Sequence, residues 1–235
     1  MAISYVTAGA IAVDSVNAFV DVVAPSVNVD DILICALLGK DNIDHQGPSE
    51  WTEIGTQTNN TTAMTTSHWW KRATAADSGA TFRFTKSTDN NIFFAGVISA
   101  WRGAKVSGNV IDLTAPTVNS TATANDTVSY STFTPTSKAL TIIASGIYAE
   151  DTTTAGAISG TNPAFTNRYD LETGTGTDCS FFGYSGNSTD QVATGARSHS
   201  TTSMVDAINQ GWLFGLLPQP EPDLLPFCIA PQPTR

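Results

Sequence analysis

Apolar residues in this chain fall into short runs of strand length, bounded by Gly, Pro, Asn and Asp, and few segments hold a 3.6-residue apolar repeat for ten residues. That pattern restricts the chain to β-structure. The run "DDILICALLG" at 30–39 is continuously apolar, as a strand covered on both faces requires, whereas Phe82 and Phe84 alternate with Thr81, Arg83 and Thr85, as a strand with one wet face requires. Further strands are expected at "MTTSHWWKRAT", "IFFAGVISAW", "TVSYSTFTP", "ALTIIASGIY", "NRYDLETG", "CSFFGYSG", "VATGARSHS" and "GWLFGLL". "SMVDAINQG" is the best place for a helical turn. The expected core comprises Ile32, Ile34, Leu37, Trp51, Phe82, Phe84, Phe94, Ile98, Leu140, Ile142, Phe182 and Trp212. Abundant Thr, Ser, Asn and Gly, with only 14% charged residues, suit half-solvated strands and tight turns.

The two halves echo each other at an offset of roughly 110 residues. "DILICALLGKDNID" answers "ALTIIASGIYAEDT", "HWWKRATAADSGAT" answers "SFFGYSGNSTDQVATG", and "IFFAGVISAW" answers "NQGWLFGLLP". Either two similar β-motifs, at about 1–105 and 106–217, share one core, or Thr-rich strands are merely self-similar. Both arrangements make 1–217 one β-sandwich domain.

From Pro218 the composition changes, with six prolines in the last eighteen residues. Proline fixes φ and removes a donor, so 218–235 reads as an extended arm that leaves the sheet at Pro218. A flexible end is ordinarily polar, yet Leu224, Leu225, Phe227 and Ile229 stand between these prolines. These four read as a subunit contact that becomes covered on assembly, against the bland reading of a disordered end.

The formal charge is −10, and eleven Lys and Arg are spread thinly, so nucleic acid is excluded as a partner. No run approaches membrane-spanning length, and the first residues lack a signal peptide's pattern. The three cysteines are an odd number, with Cys35 inside an apolar strand, so the expectation is a reducing cytoplasm without structural disulfides. His45, His68 and His199 have no metal-ligand spacing, and neither a dinucleotide fingerprint nor a Gly-x-Ser-x-Gly elbow is present. The reading is therefore of a non-enzyme with no catalytic residues and no cofactor. Carboxylates gather only in "GKDNIDH" and "YAEDTTT", where Asp41, Asp44, Glu150 and Asp151 form an alternative hard-cation site of the Ca²⁺ type, against the commoner role of solvated turn residues. Trp69 and Trp70 are adjacent and face opposite sides of a strand, so one of them, taken as Trp70, is assigned to a subunit contact.

"DDILICALLG", "PSEWTEIG", "HWWKRATAADSGATFRF" and "VISAWRGA", carrying Asp31, Pro48, Trp51, Lys71, Ala73, Asp77, Trp101, Arg102 and Gly103, follow a recurring order. That order resembles a family of small bacteriophage accessory virion proteins with a jelly-roll-like antiparallel β-sandwich. The resemblance covers about residues 3–105 and does not extend to the tail. It implies a structural protein that decorates or cements a capsid or tail, made in the host cytoplasm and located in the virion. Its implied partners are capsid or tail subunits and further copies of itself. Trp51 is expected to plug one end of the sandwich, and Arg102 to hold a loop or carboxylate. The alternative is a tail-associated module that binds host-surface glycan, Ca²⁺-dependent through the acidic loops.

Overall fold

A computed structural model describes residues 3–60, 64–87, 91–150, 155–173, 178–202 and 207–220, with the backbone alone at 60, 113–125 and 207. The described chain is all-β, built from antiparallel sheets, and holds no helix. Its first half contains β1 (Ser4–Ala8), β2 (Ala12–Asp14), β3 (Phe19–Val23), β4 (Ile32–Gly39), β5 (His45–Gln46), β6 (Thr52–Glu53), β7 (Thr58–Asn60), β8 (Met64–Arg72), β9 (Thr81–Lys86) and β10 (Phe94–Arg102). The second contains β11 (Ile111–Asn125), β12 (Thr127–Tyr130), β13 (Thr141–Tyr148), β14 (Thr166–Glu172), β15 (Ser180–Asn187), β16 (Arg197–Ser200) and β17 (Ala207–Leu216).

Pairing in the first half is nested. β1 pairs β10, β3 pairs β9 and β4 pairs β8, and these pairs are dealt alternately into a large sheet ordered β1-β10-β4-β8-β6 and a small one ordered β3-β9-β5. Between the sheets lies one core. Val20 and Val22 from β3 and Phe82 and Phe84 from β9 meet Leu33, Cys35 and Leu37 from β4 and Ile98 from β10. Alternation on β9 is thus a one-sided strand's pattern, and Cys35 serves as a small buried hydrophobe.

The second half repeats the plan. β11 pairs β17, β12 pairs β16 and β13 pairs β15, giving a large sheet β11-β17-β13-β15-β14 and a small sheet β12-β16. Even the small third strand has a counterpart: His45 bridges Lys86 in the first half, and Ala155 bridges Thr201 in the second. The echo in the sequence is therefore a duplicated strand plan. The quoted segments, however, align one residue out of step. Leu33 and Ile142 both face their own half's core while Ile34 and Ile143 both face the other half, so Leu33 corresponds to Ile142 and Ile34 to Ile143. A one-residue slip exchanges the two faces of a strand, which is why letters alone did not fix the register.

The two large sheets pack against each other. Ile32, Ile34 and Trp101 meet Ile143, Trp212, Phe214 and Leu216, and farther along Ala36, Leu38, Ala95 and Val97 meet Ile147 and Phe181. All eight residues of β4 and all eight of β13 are buried for this reason. All twelve expected core residues are buried. Both adjacent tryptophans are half-buried on opposite faces of β8: Trp69 packs on the first half's own core, and Trp70 on the cluster between the halves.

The residues that carry the family resemblance tie the first half together. Arg102 makes a bidentate pair with the buried Asp31, Nε to Oδ1 at 2.8 Å and the terminal nitrogen to Oδ2 at 2.7 Å, and the Asp31 carbonyl accepts from Ala73 N–H. Lys71 reaches Asp77 at 3.1 Å across the face of Phe82, and Trp51 stacks edge-on against Phe82 and Phe84 after a turn closed by its N–H on the Pro48 carbonyl. Gly103 lies at φ 90°, a conformation that suits glycine.

Two expectations are corrected. The helical turn at 203–211 does not form over 207–211, which are strand, because Asn209 and Gln210 are drawn into pairing between β11 and β13; residues 203–206 lie outside the described residues. Pro218 also does not end pairing. It forms a bridge with Ala104 in which Leu217 accepts from Lys105 N–H and Gln219 donates to the Gly103 carbonyl, so the proline sits where no donor is needed.

Because both halves share the central packing, they should unfold as one unit. Leu37→Ala and Ile142→Ala, one in each half's own core, should each cost about 2–5 kcal/mol and lower one common calorimetric transition by on the order of 10 °C. Two transitions, each moved by only one variant, would show that the halves are independent.

Candidate functional site

The packing of β4 on β13 brings the two acidic loops to the same end of the molecule. They meet through a cation: Lys40 Nζ lies 3.5 Å from Glu150 Oε1 and over the Phe93 ring. The aspartates are occupied locally. Asp41 Oδ1 accepts from Asn42 N–H at 2.7 Å, and Asp44 Oδ1 accepts from Gln57 Nε2 at 2.9 Å. Asp44 is held further by two bonds with Ser87: its N–H donates to Ser87 Oγ, and its carbonyl accepts from Ser87 N–H. Among the described residues no three His, Cys, Asp or Glu side chains are placed to hold a metal ion. Asp151 lies outside the described residues. What the structure gathers from the expected cation site is thus a turn and an ion pair.

Sequence reasoning missed a buried polar seam between the large sheets. His68 on β8 places Nε2 2.8 Å from Ser145 Oγ on β13, Trp212 Nε1 donates to Thr66 Oγ1 at 2.9 Å, and Thr66 donates to Gln210 Oε1. Gln210 Nε2 in turn reaches the Thr58 carbonyl at 3.3 Å. Tyr169 from β14 bonds Ser145 and Ser99. The signal was in "MTTSHWW", whose Thr and His are too polar for a strand so thoroughly covered. His68 with Ser145 has the separation of a base and its nucleophile, but His68 is 0% and Ser145 2% exposed, sealed between sheets where no substrate reaches them. The seam therefore joins the halves.

All three histidines are buried and held neutral. Desolvation lowers His68 to about 3 and His199 to about 4, and His45 falls to about 3 through desolvation and the nearby Lys86. His199 rests among Tyr130, Phe182 and Tyr184, its Nδ1 3.1 Å from the Tyr130 hydroxyl, and His45 Nδ1 lies 2.9 Å from Ser67 Oγ.

The remaining candidates are surfaces. Large apolar side chains exposed among the described residues are all valines: Val13, Val16, Val23, Val29, Val106 and Val192. Trp70, assigned to a subunit contact, spends much of its surface on the cluster between the halves. Leu224, Leu225, Phe227 and Ile229 lie outside the described residues. Comparison with protein families, with curated proteins and with solved structures finds no match to this chain.

The histidines give a sign for pH. Their folded values lie below the ordinary 6.5, so from about pH 6.5 down to about 4 the unfolded chain takes up protons that the folded one refuses, and stability falls as pH falls. Each histidine contributes up to roughly 1.4 kcal/mol per pH unit in that window. Denaturant midpoints at pH 7, 6 and 5 should decline, and His68→Gln should make the decline shallower; an unchanged slope would mean that His68 is not buried neutral.

Proposed function

We propose that this chain is a non-enzymatic bacteriophage virion structural protein that decorates or cements a capsid or tail through subunit contacts. The observation that carries the reading is the pairing plan: nested pairs, β1 with β10, β3 with β9 and β4 with β8, then β11 with β17, β12 with β16 and β13 with β15, each set dealt alternately into two sheets. Nested pairs of this kind support the jelly-roll reading, an architecture of capsid and lectin domains. The resemblance seen in the first half adds to it, since its residues Asp31, Trp51, Lys71, Asp77 and Arg102 all serve packing and ion pairs. Chemistry-bearing groups elsewhere are spent inside the fold, as the His68–Ser145 seam is. What is left for a partner is outer surface and the apolar, proline-rich arm.

The arm's role is tested by truncation. Since Gln219 is tied to Gly103 and Val106, the cut belongs after Pro220. Deleting 221–235 should leave Tm unchanged while abolishing incorporation into particles, measured by mass spectrometry of purified virions assembled with the full-length or the truncated chain. Full occupancy by the truncated chain would refute a role for the arm in attachment, and absence of the full-length chain from particles would refute the virion reading altogether.

A further inference from the structure

The prolines of the tail share one parity. Pro218, Pro220, Pro222 and Pro226 all fall on even positions, and the next, Pro231, is the first on an odd one. In an extended strand the N–H and C=O of alternate residues point to opposite sides. From 217 to 229 the missing donors therefore all lie on one side, and the other side keeps every N–H. The structure shows which side is used at the start: Leu217 C=O and Gln219 N–H, both odd, bond Lys105 and Gly103, with Pro218 between them facing away. The tail is written as a strand that can pair along one edge only.

That pairing cannot continue along β10. Gln219 opposes Gly103 and Pro218 opposes Ala104, so the tail is heading along β10 toward Arg102. There both edges of β10 are taken, by Ser4 of β1 against Arg102 and by Ile32 of β4 against Trp101. β10 thus offers the fifteen residues beyond Pro220 no free edge. Open edges long enough to receive them are few among the described residues: β14 pairs only β15, and β11 pairs only β17. β14 is blunted by a register shift between Asn167 and Tyr169 and by Arg168, Asp170 and Glu172, and two of these charges would repel Glu221 and Asp223 of the tail. β11 has no charged residue from Leu113 to Asn125, and its run Thr117–Thr121 keeps unbroken register with β17.

We infer that residues 221–230 add as a strand to the β11 edge of a second copy of this chain, hydrogen-bonding through odd-numbered residues. This deepens the assembly reading and rests on it only for the setting in which copies meet. Strand addition draws affinity from the main chain, while Leu225, Phe227 and Ile229 share one face of the added strand and Leu224 lies on the other.

The test is a pair of prolines. In the full chain, kept reduced because of Cys228, self-association is measured by light scattering over a concentration series. Leu224→Pro and Leu225→Pro remove the same side chain, with Leu224→Ala and Leu225→Ala as controls for its loss. Leu224→Pro should associate as Leu224→Ala does, whereas Leu225→Pro should weaken association about ten-fold or more beyond Leu225→Ala. A photo-crosslinker at position 224, in a mixture of isotopically light and heavy copies, should join the tail of one copy to residues 111–125 of another. The inference is overturned by equal effects of the two prolines, by crosslinks within one copy or to another edge, or by a chain that stays monomeric. Incorporation into particles without these signs would sink this inference alone, and strand exchange in solution by a chain missing from particles would sink only the virion reading.

Discussion

Mutual burial of the two large sheets is the constraint on which the rest depends. An antiparallel sheet in a two-layer sandwich ordinarily keeps one face for its core and gives the other to water. Here the outward face of each half's large sheet is covered by the other half, so β4 and β13 are buried on both sides and read as continuous apolar runs. The two stacked sheets run their strand orders in opposite directions: β8 meets β17 through Thr66, Gln210 and Trp212, while β1 and β14 approach through Tyr5 and Tyr169. Two like units facing each other in this way have the relation of an isologous pair fused into one chain.

The seam shows that the two units are no longer interchangeable. His68 on β8 corresponds to Gly183 on β15, and Ser145 on β13 corresponds to Ala36 on β4. Where His68 fills its place with an imidazole, Gly183 leaves room that the Tyr169 ring occupies; a Cβ there would lie 2.0 Å from Tyr169 Cε1. Both substitutes converge on Ser145. Buried polar groups cost free energy unless paired, and their pairing works in one register and one partner order only. The seam thus specifies which half faces which, a task that interchangeable aliphatic side chains do poorly.

Legibility in the sequence followed how local each signal is. Strand-length runs, the alternation at Phe82 and Phe84 and the twelve core residues follow from period and hydropathy, and all are buried where expected. The duplication was visible as an echo, but its register was not, because register is fixed by faces that only the packing reveals. Adjacency places Trp69 and Trp70 on opposite faces of their strand, but that the face under Trp70 borders the second half follows only from the stacking of the sheets. "SMVDAINQG" has helical spacing at its end, yet pairing of Asn209 and Gln210 with β13 overrides that local preference. Asp41, Asp44 and Glu150 were legible as neighbours of the apolar strands, but the lysine that joins the two loops, Lys40, carried no signal until the sheets were stacked.

Stacking sandwiches face to face removes exposed faces and leaves edges as the place where such a molecule can pair further. The chain treats its edges unequally. Beside β8 the first half has only the short β6 and β7, and β14 at the corresponding place in the second is charged and bulged. At the opposite end of the second sheet β11 is long and uncharged past Asp112, with register shifts on either side of the run Thr117–Thr121. A segment whose prolines fall on one side offers a weaker new edge when it occupies an old one, since its outer side lacks the donors at Pro222 and Pro226. In the proposed strand addition, the same prolines that leave the inner side its donors would interrupt pairing on the outer side, favouring one added strand per edge over an open-ended fibre.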